Sequence, residues 1–219
     1  MRSSRLAVLL GFNVGVLTVG AAFWLGCGDD KVQLAADAGT DVSPASDAGS
    51  DVFTFDGNIP VDCAAYCTAI GHVCIGLDQQ YLDNDTCKAM CAKVTPGTAG
   101  TSSGNTLGCR IYHLGLAAQS AQNAGAHCPH AGPYGFGQCG TEGEDFCALY
   151  QAQCGDFGAA DCGAAVAALP KVDAGVLTTT YGNSLDCREY HLENAYKVGD
   201  AKGLGHCDHA SKSPGSTCL

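Results

Sequence analysis

The sequence predicts a small, mainly α-helical, disulfide-rich fold with two tandem three-helix modules after a signal peptide and a disordered acidic linker. Cysteine accounts for 15 of the 219 residues, far more than in reduced cytosolic proteins. Apolar residues recur at helical spacing, and one pattern of cysteines and histidines occurs twice. We assign residues 1–26 to the signal peptide, 27–58 to the linker, 59–139 to the first module and 140–219 to the second.

The first 26 residues have the charge pattern of an export signal. Arg2 and Arg5 precede an apolar stretch from Leu6 to Leu25. The following Gly26-Cys27 resembles the lipobox of bacterial lipoproteins, which implies cleavage before Cys27 and lipid attachment to its thiol. An uncleaved signal anchor is the alternative, because about 20 apolar residues can span a bilayer. Both interpretations predict an extracytoplasmic protein anchored to a membrane of the bacterial cell envelope, on its periplasmic or surface side.

Residues 28–58 are predicted to form a flexible acidic tether. They contain seven aspartates and one lysine, and Asp-Ala-Gly occurs at residue 37 and again at residue 47. Such a segment cannot bury enough apolar surface to offset its ordering entropy, and its like charges repel one another. The whole chain has a net charge of −11 and no basic stripe, which argues against nucleic acid as a partner.

The two modules are related copies of one pattern. Asn-Thr-Leu-Gly-Cys-Arg-Ile-Tyr-His begins at residue 105, and Asn-Ser-Leu-Asp-Cys-Arg-Glu-Tyr-His begins at residue 183. Later in each copy, His-Cys-Pro-His at residue 127 matches His-Cys-Asp-His at residue 206. This repetition predicts a duplicated module of about 75–80 residues.

Each module is predicted to contain three helices, because its apolar residues and cap residues recur at helical spacing. The expected helices lie near 61–75, 84–94 and from about 105 in the first module, and near 143–154, 159–169 and 183–197 in the second. The residues after the third helix, including Pro129 and several glycines, are predicted to form a loop that ends at Cys139. Because a module of this size buries little apolar surface, we expect its disulfides to supply much of its stability.

Two cysteines of the first module, Cys63 and Cys91, have no match in the second. An unpaired thiol is a liability outside the cytoplasm, so their joint absence predicts a Cys63–Cys91 bridge. The Cys-x3-Cys spacing places two thiols on one face of each helix, which adds Cys67–Cys87 and, in the second module, Cys147–Cys162. This arrangement resembles the twin Cx3C helical hairpin of small, oxidatively folded proteins.

The four remaining cysteines of each module allow three pairings. We choose the pairing that joins the first helix to the third and closes the terminal loop. The chosen pairs are Cys74–Cys109, Cys128–Cys139, Cys154–Cys187 and Cys207–Cys218.

Six of the seven histidines occupy matched positions in the two modules. They are His113, His127 and His130 in the first module, and His191, His206 and His209 in the second. Three imidazoles suit copper or zinc and leave one coordination position open, so this pattern predicts one metal site in each module. The alternative is that the histidines are scaffold residues that hydrogen-bond loop carbonyls.

Several catalytic and cofactor motifs are missing from the sequence. It contains no Cys-x-x-Cys-His, which argues against a covalent c-type haem, and no Cys-x-x-Cys, which argues against a thioredoxin-like centre. Neither His-Glu-x-x-His nor Gly-x-Ser-x-Gly occurs. We therefore predict that the protein is not an enzyme and that no catalytic residue will be found.

Taken together, the sequence resembles the Cys-rich repeat lipoproteins of bacterial envelopes, with the membrane as one partner and an envelope protein or small ligand as another. The leading hypothesis is transition-metal binding by each His triad. One alternative is a structural or adhesive envelope module that binds protein or glycan without a metal. The other alternative is a periplasmic electron-transfer protein.

Overall fold

The computed structural model describes residues 58–172, 177–201 and 205–219. Over these ranges the chain forms eight α-helices and one short 3-10 helix, with no β-strand. The mainly α-helical, disulfide-rich fold predicted from the sequence is confirmed. The signal peptide, Cys27 and the linker through residue 57 lie outside the described residues. Among the described helices, none is both long and apolar enough to cross a membrane.

Within the described ranges each module contains four α-helices, where the sequence predicted three. Those of the first module are α1 (Cys63–Val73), α2 (Asn84–Cys91), α3 (Leu107–Ala117) and α4 (Ala121–Ala131). Those of the second are α5 (Glu142–Cys154), α6 (Cys162–Ala167), α7 (Leu185–Val198) and α8 (Gly205–Ala210). The 3-10 helix Gly76–Asp78 lies between α1 and α2.

The starts of α1 to α7 are encoded locally by capping residues. In each of these helices, the side chain of the N-cap residue accepts a hydrogen bond from the backbone N–H three positions later. The caps are Asp62, Asp83, Thr106, Ser120, Thr141, Asp161 and Ser184. Asp, Ser and Thr are favoured at this position because they satisfy a backbone donor that has no partner inside the helix.

The fourth helix is the main departure from the sequence prediction, which placed a loop here because of Pro129. Ser120 caps the start of α4, and Pro129 lies in its last turn, two residues before the helix ends at Ala131. A proline there removes one helical hydrogen bond near a helix end, so its effect on the helix is limited. The backbone N–H of Gly132 closes the helix by donating to the carbonyls of Cys128 and Pro129.

Seven disulfides join the fourteen cysteines from Cys63 to Cys218. The structure contains the predicted pairs Cys63–Cys91, Cys67–Cys87 and Cys147–Cys162. The first two join α1 to α2, and the third joins α5 to α6. The first two pairs follow from helical geometry, because residues four apart lie on the same face of a helix. The third follows from matching Cys147 and Cys162 to Cys67 and Cys87 of the first module.

The other four predicted pairs, Cys74–Cys109, Cys128–Cys139, Cys154–Cys187 and Cys207–Cys218, are wrong. The structure instead has the pairs Cys74–Cys128, Cys109–Cys139, Cys154–Cys207 and Cys187–Cys218. The cause is the fourth helix. Cys128 lies on α4, which packs against α1 and α3, and so it meets the cysteine at the end of α1. The chain after α4 returns to the first turn of α3, where Cys139 reaches Cys109.

The two modules belong to one compact unit and share buried polar contacts. Helix α2 packs against α7, and the backbone N–H of Leu82 donates to Oε2 of the fully buried Glu193 at 2.8 Å. The hydroxyl of Tyr134 donates to the carbonyl of Glu189 at 3.5 Å. The largest fully buried apolar side chains are Tyr66, Met90, Leu114, Phe146, Tyr150, Val166, Leu185 and Leu192.

Removing the Cys63–Cys91 bridge should lower stability without changing the fold. Because the Cys67–Cys87 bridge lies inside it and is retained, removing the Cys63–Cys91 bridge opens a loop of about ten residues. The chain-entropy account then predicts a loss of about 2.7 kcal/mol in the free energy of unfolding. Urea denaturation of the double variant Cys63→Ala/Cys91→Ala would measure this loss. The second module keeps its helical pair with only the Cys147–Cys162 bridge, so the variant should still fold. An unchanged free energy of unfolding would contradict this account.

Candidate metal centre

Two helices and two disulfides position the histidines of the first module. His113 lies on α3, one turn after Cys109, whose bridge to Cys139 holds the start of that helix. His127 and His130 lie on α4 and flank Cys128, which is bridged to the end of α1. The covalent attachment of α4 therefore fixes the helix that carries two of the three imidazoles.

The three predicted histidines of this module come together. Nδ1 of His113 lies 3.1 Å from Nδ1 of His127. The ring centroid of His130 lies 4.9 Å from that of His113 and 5.9 Å from that of His127. One ring nitrogen from each residue lies within 4.8 Å of one from each of the others. Three nitrogen donors thus converge on a space that one ion could share.

The hydrogen bonds of His113 indicate which of its nitrogens is available. Its Nε2 lies 3.1 Å from the carbonyl oxygen of Ser102, and a carbonyl can only accept. Nε2 therefore carries the ring proton, and Nδ1 presents a lone pair towards His127. Metal-binding histidines are commonly oriented in this way by a carbonyl on the second nitrogen.

His130 has a buried Nδ1 with no hydrogen-bond partner in the described part of the chain. Leaving a buried polar atom unpaired is unfavourable, typically by about 1–3 kcal/mol. A metal ion held with His113 and His127 would satisfy this nitrogen. The donor set therefore fits a transition metal on structural grounds.

The second module reproduces the arrangement in detail. Nδ1 of His191 lies 3.1 Å from Nδ1 of His206, and Nε2 of His191 lies 3.4 Å from the carbonyl oxygen of Thr180. Nδ1 of His209 is buried and has no partner among the described residues. One nitrogen from each histidine again lies within 4.8 Å of the others. The structure thus brings together all six histidines predicted from the sequence, as two trios.

Burial favours the neutral form of three of the six imidazoles. Burial lowers the pKa of His113, with a further decrease from His127, although the bond to Ser102 opposes the shift. Burial also lowers the pKa of His130, and it lowers that of His191 to about 4. Because only a neutral imidazole has a lone pair for a metal, these residues are ready to bind an ion at neutral pH.

The trio of the first module lies at the edge of the fold. His113 is 5% exposed, whereas His127 and His130 are half-buried. The half-exposed Tyr112 packs edge-on against His113, with ring centroids 5.3 Å apart. An ion bound here would be held from the protein side and could accept a further ligand from solvent.

The structure also places sulfur atoms beside the trios, although the sequence prediction set the cysteines aside as ligands. Ligand atoms of Cys109, His113 and Cys139 lie within 4.8 Å of one another, as do those of Cys187, His191 and Cys218. In each set the two cysteines are joined to each other. The Cys-x3-His spacing on α3 and α7 was the available signal, since it places both side chains on one helical face.

The free energy of unfolding of the metal-free protein should fall as the pH is lowered from about 6.5 to 4. Unfolded His191 has the usual pKa of 6.5, but the folded residue has a pKa of about 4. In this window the unfolded chain therefore binds a proton that the folded chain does not, which is worth up to about 1.4 kcal/mol per pH unit. Urea unfolding with a chelator present would show a weaker dependence for His191→Gln. The matched control His72→Gln, at an exposed histidine on α1, should keep the wild-type slope, and equal slopes for all three proteins would contradict the assignment.

The comparisons with known proteins concern the first module. A family model described as the BfoA family C-terminal domain matches residues 63–142, which span α1 to α4 and the first residue of α5. No curated protein and no solved structure matches the chain significantly. The family match agrees with a distinct Cys-rich helical unit over these residues, and its description names no ligand.

Proposed function

We propose that the protein is a lipid-anchored component of the bacterial envelope in which each module binds one copper or zinc ion through three imidazoles. The observation that carries this proposal is the buried Nδ1 of His130, which has no hydrogen-bond partner within the described ranges; the same holds for His209. Each of these atoms adjoins a pair of histidines whose Nδ1 atoms are 3.1 Å apart.

The pair distance agrees with a shared ion. Two nitrogens that each lie about 2.05 Å from a tetrahedral zinc ion are about 3.3 Å apart, close to the 3.1 Å between Nδ1 of His113 and His127. A hydrogen bond between these two nitrogens would explain the same distance. It would leave Nδ1 of His130 without a hydrogen-bond partner among the described residues, whereas an ion accounts for all three imidazoles.

The donor set favours copper or zinc over harder cations. The trios contain imidazole nitrogen and no carboxylate, whereas calcium and magnesium prefer oxygen ligands. The net charge of −11 gives the chain a field that raises the local concentration of cations. The three imidazoles of each trio are sufficient to bind an ion, and we propose no catalytic role for them.

Two features support a location outside the cytoplasm. Seven disulfides suit an oxidising compartment. The charged start, the apolar stretch and Gly26-Cys27 resemble a lipoprotein signal. We infer that residues 28–58 tether both metal-binding modules to the membrane.

A scaffold role is the competing explanation of the histidines, and one observation favours it. The contacts of His113 with Ser102 and His127 already link α3 to a loop and to α4. Under this explanation, replacing the histidines would lower stability without removing an ion.

Elemental mass spectrometry would distinguish the two roles. Full-length protein made in an oxidising compartment and purified in detergent should hold about two copper or zinc ions per chain, one for each trio. His127→Ala/His130→Ala should reduce the content to one, and adding His206→Ala/His209→Ala should abolish it. The control His72→Ala should keep both ions. Metal content that is unaffected by the trio variants, or no bound metal in protein whose intact mass shows all seven bridges, would sink the proposal.

A further inference from the structure

The disulfide beside each trio provides a second, redox-dependent set of ligands. We propose that reducing Cys109–Cys139 and Cys187–Cys218 releases thiolates that bind a thiophilic ion, Cu(I) or zinc, together with His113 and His191. This inference rests on the proposed function, because it describes how the same two metal centres respond to reduction.

The geometry of the first module carries the proposal. Cys109 and His113 lie one turn apart on α3, and ligand atoms of Cys109, His113 and Cys139 lie within 4.8 Å of one another. The two cysteines are fully buried, and His113 is 5% exposed. Cys187, His191 and Cys218 form an equally buried set in the second module. The same set of three thus occurs twice in the fold.

The other five bridges have no such third ligand beside them among the described residues. Within the described ranges, none of them forms a group of three candidate ligands with a histidine or a carboxylate. This holds even for Cys74–Cys128, although Cys128 lies between His127 and His130 in the sequence. Proximity to a histidine in the sequence is therefore not sufficient, and the cysteine–histidine sets are particular to two positions in the fold.

The chemistry is a two-electron exchange followed by metal binding. A dithiol reductant transfers two electrons and two protons to the Cys109–Cys139 bond, which breaks to give two thiols, while the reductant becomes a disulfide. The ion then displaces the two thiol protons, and His113 supplies a neutral nitrogen. Thiolates are softer ligands than imidazoles and favour Cu(I) and zinc.

His113 belongs both to the tri-histidine set and to the set with Cys109 and Cys139, so the two sets compete for one ion. A neutral imidazole has one lone pair, so each module holds one ion before and after reduction. In the oxidised protein the ion lies with the half-buried His127 and His130, where solvent or a partner can reach it. After reduction it lies with two fully buried sulfurs and exchanges more slowly. The bridge thus controls release of the metal.

Cobalt(II) provides a spectroscopic test, because thiolate ligation adds an intense charge-transfer absorption. Metal-free, full-length protein would be treated with dithiothreitol, desalted under argon and titrated with cobalt, beside an oxidised sample. The absorption should appear only after reduction and saturate at about two ions per chain, one per set. Cys109→Ala/Cys139→Ala should halve it, whereas the matched control Cys63→Ala/Cys91→Ala should leave it unchanged.

Alkylation of the wild-type protein is the second readout and requires no substitution. With zinc bound to the reduced protein, Cys109, Cys139, Cys187 and Cys218 should react more slowly with iodoacetamide than Cys74 and Cys128. Equal alkylation, no charge-transfer absorption, or loss of helical circular dichroism with metal present would overturn the inference. If oxidised protein holds two ions in that case, the proposed function stands. If oxidised protein holds none but reduced protein gives the absorption, the tri-histidine function fails and the thiolate site stands.

Discussion

The bridges Cys74–Cys128 and Cys154–Cys207 are the constraint on which the arrangement of both modules depends, because they attach the fourth helix to the first. Helix α4 buries only Ala124, Cys128 and Ala131, and two alanines provide little apolar surface to hold a helix in place. The covalent bond replaces the missing packing. It also fixes the direction of the His127 and His130 side chains, because these residues flank the bridged cysteine. The candidate metal centre is therefore a consequence of how a weakly apolar helix is held.

A second constraint links the modules through buried charge. The guanidinium of Arg110 donates to the carbonyls of Gly132 and Pro133, directly after α4, and to Asp145 at 3.2 Å. A buried charge is tolerated only when it is paired and hydrogen-bonded, and this carboxylate comes from α5 of the second module. Arg188, the counterpart of Arg110, donates to the carbonyls of Ser184 and Ser211. In both modules the arginine thus holds the chain that follows the fourth helix against the third helix. In the first module it also pairs with a buried carboxylate of the second module.

These constraints explain why histidines and a disulfide share one location in each module. The bridge from the terminal segment joins the first turn of the third helix, and the histidine lies one turn later. The fourth helix brings two further imidazoles to the same residue. His113 and His191 therefore each belong both to a group of three histidines near the surface and to a buried group with two cysteines. In the part of the chain that the structure describes, these groups of soft and borderline donors include no carboxylate, and such donors suit copper and zinc better than calcium or magnesium.

The sequence by itself determined the fold class, three disulfides and the six histidines, because all of these depend on local spacing or on comparing one half of the chain with the other. Cysteines four residues apart share a helical face, so Cys63–Cys91 and Cys67–Cys87 follow without knowledge of the packing. Cys147–Cys162 follows as the matched copy of the inner pair. Only the tertiary structure decided the other four bridges, since their pairing depends on where the fourth helix lies. That helix was missed because Pro129 normally signals a break, although a proline in a last turn removes only one hydrogen bond. The tautomer of His113, the unpartnered nitrogen of His130 and the sulfur atoms beside the trio likewise come from contacts between segments far apart in the sequence, which no local pattern encodes.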